Sequence, residues 1–237
     1  MSGVFFMKRT TALILAGGTG ERMMSSVPKQ FLLLAGKPIV TYSIETFESS
    51  EKISDILVVC HAKYVGEMEA IVSKMGSKKT RKVIPGGKTR QESSFLGVQN
   101  CPPGTEHILI HDAVRPFVSA EDIAGLTEAV QETGAAGLVI DLIDTVVEID
   151  AGLIGNIPSR DRLKRIQTPQ CFRCDVITKA HDTARDNNLE NAADDCTLVL
   201  ASGGRVKVVN GSEKNLKITS PLDIELAENI ISRSRSF

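Results

Sequence analysis

Residues 13–32 read LILAGGTGERMMSSVPKQFL: a short apolar run, glycines at 17, 18 and 20, then Arg22 and, directly behind Pro28, Lys29. The run 11–16, TALILA, is a strand candidate, apolar throughout as a strand buried on both faces would be. A strand that runs straight into AGGTG can turn without Cβ clashes, so that consecutive N–H groups point at anionic oxygens. Ala16, Gly17, Gly18 and Gly20 therefore form a candidate phosphate loop. It is not a Walker A loop, since G-x-x-x-x-G-K-[ST] is missing, nor a G-x-G-x-x-G dinucleotide loop. Arg22 offers a forked donor for phosphate oxygens and Lys29 a compact charge for a developing phosphoryl anion. Either cation can also be read as a solvated surface residue; Pro28 helps fix the backbone at Lys29 and favours a positioned role.

Outward from this stretch, short apolar runs alternate with amphipathic segments. Residues 55–60 (DILVVC), 82–87 (KVIPGG), 106–112 (EHILIHD) and 135–143 (AAGLVIDLI) read as strands or strand exits. Residues 38–50, 64–75, 90–100 and 119–134 have helical spacing, and Ser119 with Asp122 makes a helix start. Strands alternating with helices predict an α/β fold with a mostly parallel sheet and helices on both faces. Ligands in such sheets bind at the carboxyl ends of the strands.

From about residue 143 to about residue 172 the rhythm changes to two β-prone stretches around DAG with no amphipathic helix. This predicts an inserted β-arm, of the kind that packs against a second subunit. The α/β pattern then resumes through CDVITKAHDTARDN, CTLVLASGG, RVKVVNG and a final helix in SPLDIELAENIISRS. With no internal repeat or Gly/Ser-rich linker, residues 1–237 read as a single domain carrying that arm.

Composition narrows the function. The 28 Lys+Arg against 29 Asp+Glu leave a net charge of -1, which gives no electrostatic case for a nucleic acid or a membrane surface. Tryptophan is absent and aromatics are 4%, so stacking platforms for single strands are not indicated. No apolar run is long enough for a membrane span or a signal peptide, and a cytoplasmic location is expected. Five scattered cysteines are no disulfide framework. Cys171 and Cys174 form a C-x-x-C, but no second pair or nearby histidine completes a zinc set, so ordinary thiols are expected.

A second constellation is LIHDAVRPF, residues 109–117. Asp112 ends an apolar strand, where an α/β enzyme would hold a metal on a carboxylate, and Mg²⁺ takes one or two carboxylates plus phosphate oxygens. A turn or cap is the alternative for Asp112. Arg115, pinned by Pro116, would reach another phosphate. In PGGKTRQES, Gly86 and Gly87 follow a strand and Ser93 begins the next helix, which suits contact with the edges of a base. Thr145, Arg160, Lys217 and Thr219 complete a set of polar groups at loop positions. Several cations after strands in a chain without net positive charge point to a polyanionic small molecule.

LAGGTGERM…PKQFL, GG…R…S, HDAVRPF, DTVVE, IPSRD, QTPQCF and NLKITSPLDIELAE stand in the order and spacing of the cytidylyltransferases that act on polyol phosphates. The chain resembles that family, which includes the ribitol-5-phosphate and 2-C-methyl-D-erythritol 4-phosphate enzymes, from residue 11 to about 230. The resemblance implies a nucleotidyltransferase (Rossmann-like) sheet, a β-arm that interlocks a homodimer, and transfer of CMP from CTP to a polyol phosphate with release of pyrophosphate. It implies catalytic roles for Arg22, Lys29 and Lys217. CTP contacts fall to Ala16, Gly17, Gly18, Gly20, Gly87, Ser93 and Asp112, with Mg²⁺ or another divalent cation near Asp112. Arg115, Thr145 and Arg160 would contact the acceptor, the last two from the partner's arm. The chemistry agrees: an ionised acceptor phosphate attacks the α-phosphorus in line, positioned cations stabilise the charge, and no protein nucleophile or general base is needed.

For the acceptor, Val147 stands where methylerythritol-phosphate enzymes usually carry lysine, and VIDLIDTVVE with IPSRD looks closer to the ribitol branch. Against this, the stretch around Asp194 and Asp195 resembles the methylerythritol branch, and KRIQTPQ lacks a pattern common among ribitol enzymes. Ribitol 5-phosphate is the expectation and 2-C-methyl-D-erythritol 4-phosphate the alternative. A nucleotidyltransferase using another nucleotide, or a silent binding protein on the same fold, belongs to different classes and stays open.

Overall fold

The computed structural model describes residues 8–18 and 27–234; Gly20 and Arg22 lie outside them. The first half of the chain runs β1 (Thr10–Ala16), a small hairpin of β2 (Leu33–Leu34) and β3 (Lys37–Pro38), α1 (Ile39–Ser49), β4 (Asp55–Cys60), α2 (Val65–Met75), β5 (Thr80–Pro85), α3 (Arg90–Gln99) and β6 (His107–Asp112). The second half runs α4 (Ala120–Thr133), β7 (Ala135–Asp141), β8 (Glu148–Asp150), β9 (Leu153–Asn156), β10 (Lys164–Arg173), α5 (Cys174–Asp186), α6 (Asp195–Ala201), β11 (Lys207–Asn210) and α7 (Pro221–Ser234). Among the described residues no helix is long and apolar enough to cross a membrane.

Seven strands form one sheet in the order β11-β7-β10-β6-β1-β4-β5. All neighbours are parallel except β10, which runs antiparallel to both β6 and β7. Period-two alternation explains the two layers. Ala12, Ile14 and Ala16 of β1 face a core with Val40, Ile44 and Phe47 of α1, Met68 of α2 and Ile123 and Leu126 of α4. Leu13 and Leu15 face the opposite core, with Val98 of α3, Ile177 of α5 and Leu198 of α6. Because both faces are covered, β1 reads apolar at every position. At the start of α4, Ser119 and Asp122 exchange the reciprocal bonds of a capping box, as their spacing predicts.

The hairpin around DAG is present, with Ala151 and Gly152 both at positive φ. Its extent differs from the expectation of about 143–172. Residues 164–173 are not part of the arm but a core strand, and Gln167 through Phe172 are buried. The geometry of return explains the correction. The chain leaves the sheet at the carboxyl end of β7, so it re-enters from that edge and must run antiparallel. Cys171 packs in the core beneath α1, α2 and α4, whereas Cys174 packs on the other face, so this C-x-x-C presents its two sulfurs to opposite layers. Burial pushes the Cys171 thiol up, away from the reactive thiolate.

β1 pairs with β4 on one side and β6 on the other, so the chain order switches direction at the gap between β1 and β6. That is where an open α/β sheet presents its crevice. The close packing of α3 on β1 that forms one wall depends on Gly97, since a Cβ there would meet the two Leu13 methyls at 2.4 and 2.6 Å. Gly97→Ala gains about 1 kcal/mol of helix propensity, but overpacking against a sealed Leu13 costs about 1–3 kcal/mol. A net loss of about 1 kcal/mol is expected in urea unfolding; an unchanged or raised midpoint would contradict this packing.

Candidate active site

A cavity of about 810 Å³ opens at the carboxyl edge of the parallel strands. Its walls are the segments that leave those strands: Ala16, Gly17 and Gly18 after β1, His61 and Ala62 after β4, Gly86 to Arg90 after β5, and Asp112 and Val114 from β6 onward. Lys29 and Lys217 complete it. Of the residues singled out by sequence, Ala16, Gly17, Gly18, Lys29, Gly87, Ser93, Asp112 and Lys217 are gathered here. Arg115, Thr145 and Arg160 do not line it.

Lys29 is placed by its neighbours. The turn Lys29–Phe31 buries Phe31 in the core, and the buried Gln30 donates from Nε2 to the Ala16 carbonyl at 2.6 Å. The segment is thereby tied under the exit of β1, with Lys29 at the cavity wall.

In the segment after β5, Thr89 caps α3, accepting the Glu92 N–H at 3.0 Å. Ser93 Oγ accepts the Gly87 N–H at 3.1 Å and donates to the Thr89 carbonyl at 2.9 Å. The loop therefore folds back onto its own helix. A Cβ at Gly87 would lie 2.2 Å from Glu92 Cγ and 2.6 Å from its Cβ, so only glycine fits. The result is a short edge of backbone and hydroxyl groups suited to a heterocyclic base.

A charge cluster lines the same cavity. Lys217 Nζ donates to Asp112 Oδ2 at 2.8 Å and Arg90 Nε donates to Oδ1 at 3.1 Å. Arg90 Nη1 donates in turn to Asp195 Oδ2 at 2.8 Å; Asp195 is fully buried and also accepts from Ser94 Oγ. Burial works against a charged Asp112, but Arg90 and Lys217 outweigh it and hold the carboxyl well below the usual range. Asp112 is an anion at any working pH. The neighbouring His111 is pushed down to about 4 by burial and is a neutral imidazole.

The loop that delivers Lys217 is stitched to the rest at both ends. Ile218 N–H donates to the Val114 carbonyl at 2.9 Å, and the buried Asn215 donates from Nδ2 to the Thr168 carbonyl at 2.9 Å. Arg115 Nη1 donates to the Asn215 carbonyl at 2.8 Å, linking the segment after β6 to the Lys217 loop. Thr145 and Arg160 belong to the arm, where Arg160 Nη1 bonds the Ile143 carbonyl at 2.8 Å.

The donor set suits a divalent cation that arrives with its substrate. Asp112 offers one carboxylate with a single donor on each oxygen, and among the described residues no group of three metal-ligating side chains forms a protein cage. One carboxylate plus phosphate oxygens is what Mg²⁺ accepts.

Arg90, Asp195 and Gln30 were not singled out as site residues. Arg90 lies inside the quoted PGGKTRQES directly after the helix cap, and that position was the available signal. Asp195 is 105 residues away in sequence, so its partnership with Arg90 is set only by the fold.

A family model described as IspD: 2-C-methyl-D-erythritol 4-phosphate cytidylyltransferase matches residues 10–233. The chain is 40% identical over 95% of its length to the bifunctional enzyme IspD/IspF of Desulforudis audaxviator, of whose length it spans 57%. It is 36% identical to the 2-C-methyl-D-erythritol 4-phosphate cytidylyltransferase of Clostridium botulinum, covering 96% of this chain and 99% of that one. A ribitol-5-phosphate cytidylyltransferase of Vibrio parahaemolyticus is 37% identical over 93% of this chain and 94% of its own. Among solved structures, the 4-diphosphocytidyl-2C-methyl-D-erythritol synthase of Anaerococcus prevotii superposes with a TM-score of 0.83 at 28% identity, covering 95% and 99% of the two chains.

Removing Arg90 strands a fully buried carboxylate. Arg90→Met is expected to lower stability by about 3 kcal/mol, and adding Asp195→Asn to recover at least about 1 kcal/mol of it. Urea unfolding of the two single variants and the double variant checks this; strictly additive losses would contradict the coupling.

Proposed function

Because this chain belongs to the 2-C-methyl-D-erythritol 4-phosphate cytidylyltransferase family and is a CTP-dependent cytidylyltransferase of polyol phosphates, we propose that its acceptor is 2-C-methyl-D-erythritol 4-phosphate. The products are then 4-diphosphocytidyl-2-C-methyl-D-erythritol and pyrophosphate. The observation that carries this reading is the family match across residues 10–233. It displaces the expectation of ribitol 5-phosphate, which rested on arm residues such as Val147 rather than on the cavity. Ribitol 5-phosphate remains the second reading because the Vibrio parahaemolyticus relative that bears that name is 37% identical.

In this mechanism the cytosine lies against Gly87 and Ser93, whose backbone and hydroxyl groups meet the base edge. The triphosphate lies along Gly17 and Gly18, with Gly20 and Arg22 in the part of the loop outside the described residues. An acceptor phosphate oxygen attacks the α-phosphorus, the P–O bond to pyrophosphate breaks, and the electron pair leaves with it. Lys29 and Lys217 meet the charge that builds on the equatorial and leaving oxygens. Asp112 would hold a divalent cation, which when bound neutralises the triphosphate and orients it for in-line displacement. Asp112 also orients Lys217 across 2.8 Å.

Arg115, Thr145 and Arg160 are assigned to the acceptor side. The arm supports a homodimer: Ile149, Leu153 and Ile154 are 64%, 74% and 64% exposed on one protomer, an apolar tip that a partner would cover. Thr145 and Arg160 would then serve the partner's cavity.

Pyrophosphate release decides the acceptor. With CTP, methylerythritol phosphate is expected to turn over far better than ribitol 5-phosphate or glycerol 3-phosphate, and ATP, GTP and UTP to be poor donors. A preference for ribitol 5-phosphate would overturn the acceptor, and no release with CTP and any acceptor would overturn the mechanism.

A further inference from the structure

The motif QTPQCF enters the core as part of β10, yet nothing in the transfer chemistry requires its threonine. Between Ile166 and Gln170 the pairing of β10 with β7 shifts register, and Thr168 lies in that interruption, buried. Its hydroxyl oxygen accepts the N–H of Asp112 at 3.0 Å and stands 3.3 Å from His111 Nδ1. On the far side of the ring, His111 Nε2 lies 3.0 Å from the Arg115 carbonyl and 3.2 Å from Ser43 Oγ, which itself donates to that carbonyl at 3.3 Å. The ring is fully buried, with Phe47 edge-on at 5.3 Å.

Between the two neutral tautomers, donor and acceptor inventory selects one. A carbonyl oxygen only accepts, so Nε2 carries the proton. In that tautomer Nδ1 is an acceptor. Thr168 already receives the Asp112 N–H, and its own proton points to Nδ1. The opposite tautomer would set two lone pairs against each other at Arg115 and leave the Thr168 proton without a partner.

We propose that His111 is a positioning residue for Asp112: locked as the Nε2–H tautomer by the Arg115 carbonyl, it orders the Thr168 hydroxyl, which holds the Asp112 backbone and so aims its carboxylate at Arg90 and Lys217. The relay also ties the loop after β6 to itself, since the ring meets the Arg115 carbonyl directly and the Asp112 N–H through Thr168. The charged groups facing the ring are Asp112 and Arg115. A displacement of the carboxylate by a fraction of an ångström would move Lys217 with it, and reacting groups tolerate little misplacement. The kinetic consequence rests on the cytidylyltransferase reading; the tautomer does not.

Two measurements on the full chain test this. In nitrogen-15 spectra of histidine-labelled protein at neutral pH, with His111→Gln used for assignment among the four histidines, His111 is expected to be protonated at Nε2 and bare at Nδ1. Protonation at Nδ1 would overturn the proposal whatever the activity. Thr168→Val, which keeps the shape and removes the hydroxyl, is expected to lower kcat by about tenfold or more with KM for CTP little changed. Thr168→Ser is expected to rescue kcat. Wild-type turnover in a folded Thr168→Val, or failure of Thr168→Ser to rescue, would contradict it. If Thr168→Val does not fold, the tautomer and the serine variant decide.

Discussion

Asp112 stands between two cations, 2.8 Å from Lys217 Nζ and 3.1 Å from Arg90 Nε, and the remainder of the site is organised around that contact. The three groups come from the end of β6, the start of α3 and the loop before α7. Each brings its own segment to the cavity: Asp112 the switch point beside β1, Arg90 the Gly87–Ser93 edge, Lys217 the loop before α7. A buried carboxylate with two cations contributes little net stability, because desolvation opposes each charge. What it supplies is direction. The carboxylate cannot rotate without breaking a charged hydrogen bond, and its backbone is held from beneath by Thr168.

The second tier of contacts explains how so distributed a cluster keeps its geometry. Asp195, fully buried at the start of α6, holds Arg90 from behind, while Asn215 and Ile218 fasten the Lys217 loop to β10 and to the segment after β6. Arg115, expected from sequence at the substrate, bonds the Asn215 carbonyl and ties the loops that carry Asp112 and Lys217. In each of these bonds the two partners lie far apart in sequence.

That separation sets what was legible beforehand. The glycine exit of β1, Asp112 at the end of an apolar strand and Lys217 before a helix are each visible as local patterns, since strand ends and turns have composition of their own. The mostly parallel sheet followed from the alternation of buried runs with amphipathic segments. The antiparallel β10 did not, because KRIQTPQCFR has no long apolar run and its central residues pair with strands on either side only after the arm has returned. Lys29 was identified without its cause, which is Gln30 bonding the Ala16 carbonyl. Arg90 and Asp195 were hidden for the same reason as Asn215: a pair 105 residues apart leaves no spacing to read.

The central claim is that the pocket around Asp112 is where the nucleotide binds. A crystal structure with CTP and Mg²⁺ and without acceptor tests it directly. The triphosphate is expected against Gly17 and Gly18 within hydrogen-bond reach of Lys29 and Lys217, with cytosine at Gly87 and Ser93 and Asp112 beside the metal. A nucleotide bound elsewhere, or bound here with its base and phosphates reversed, would contradict the account.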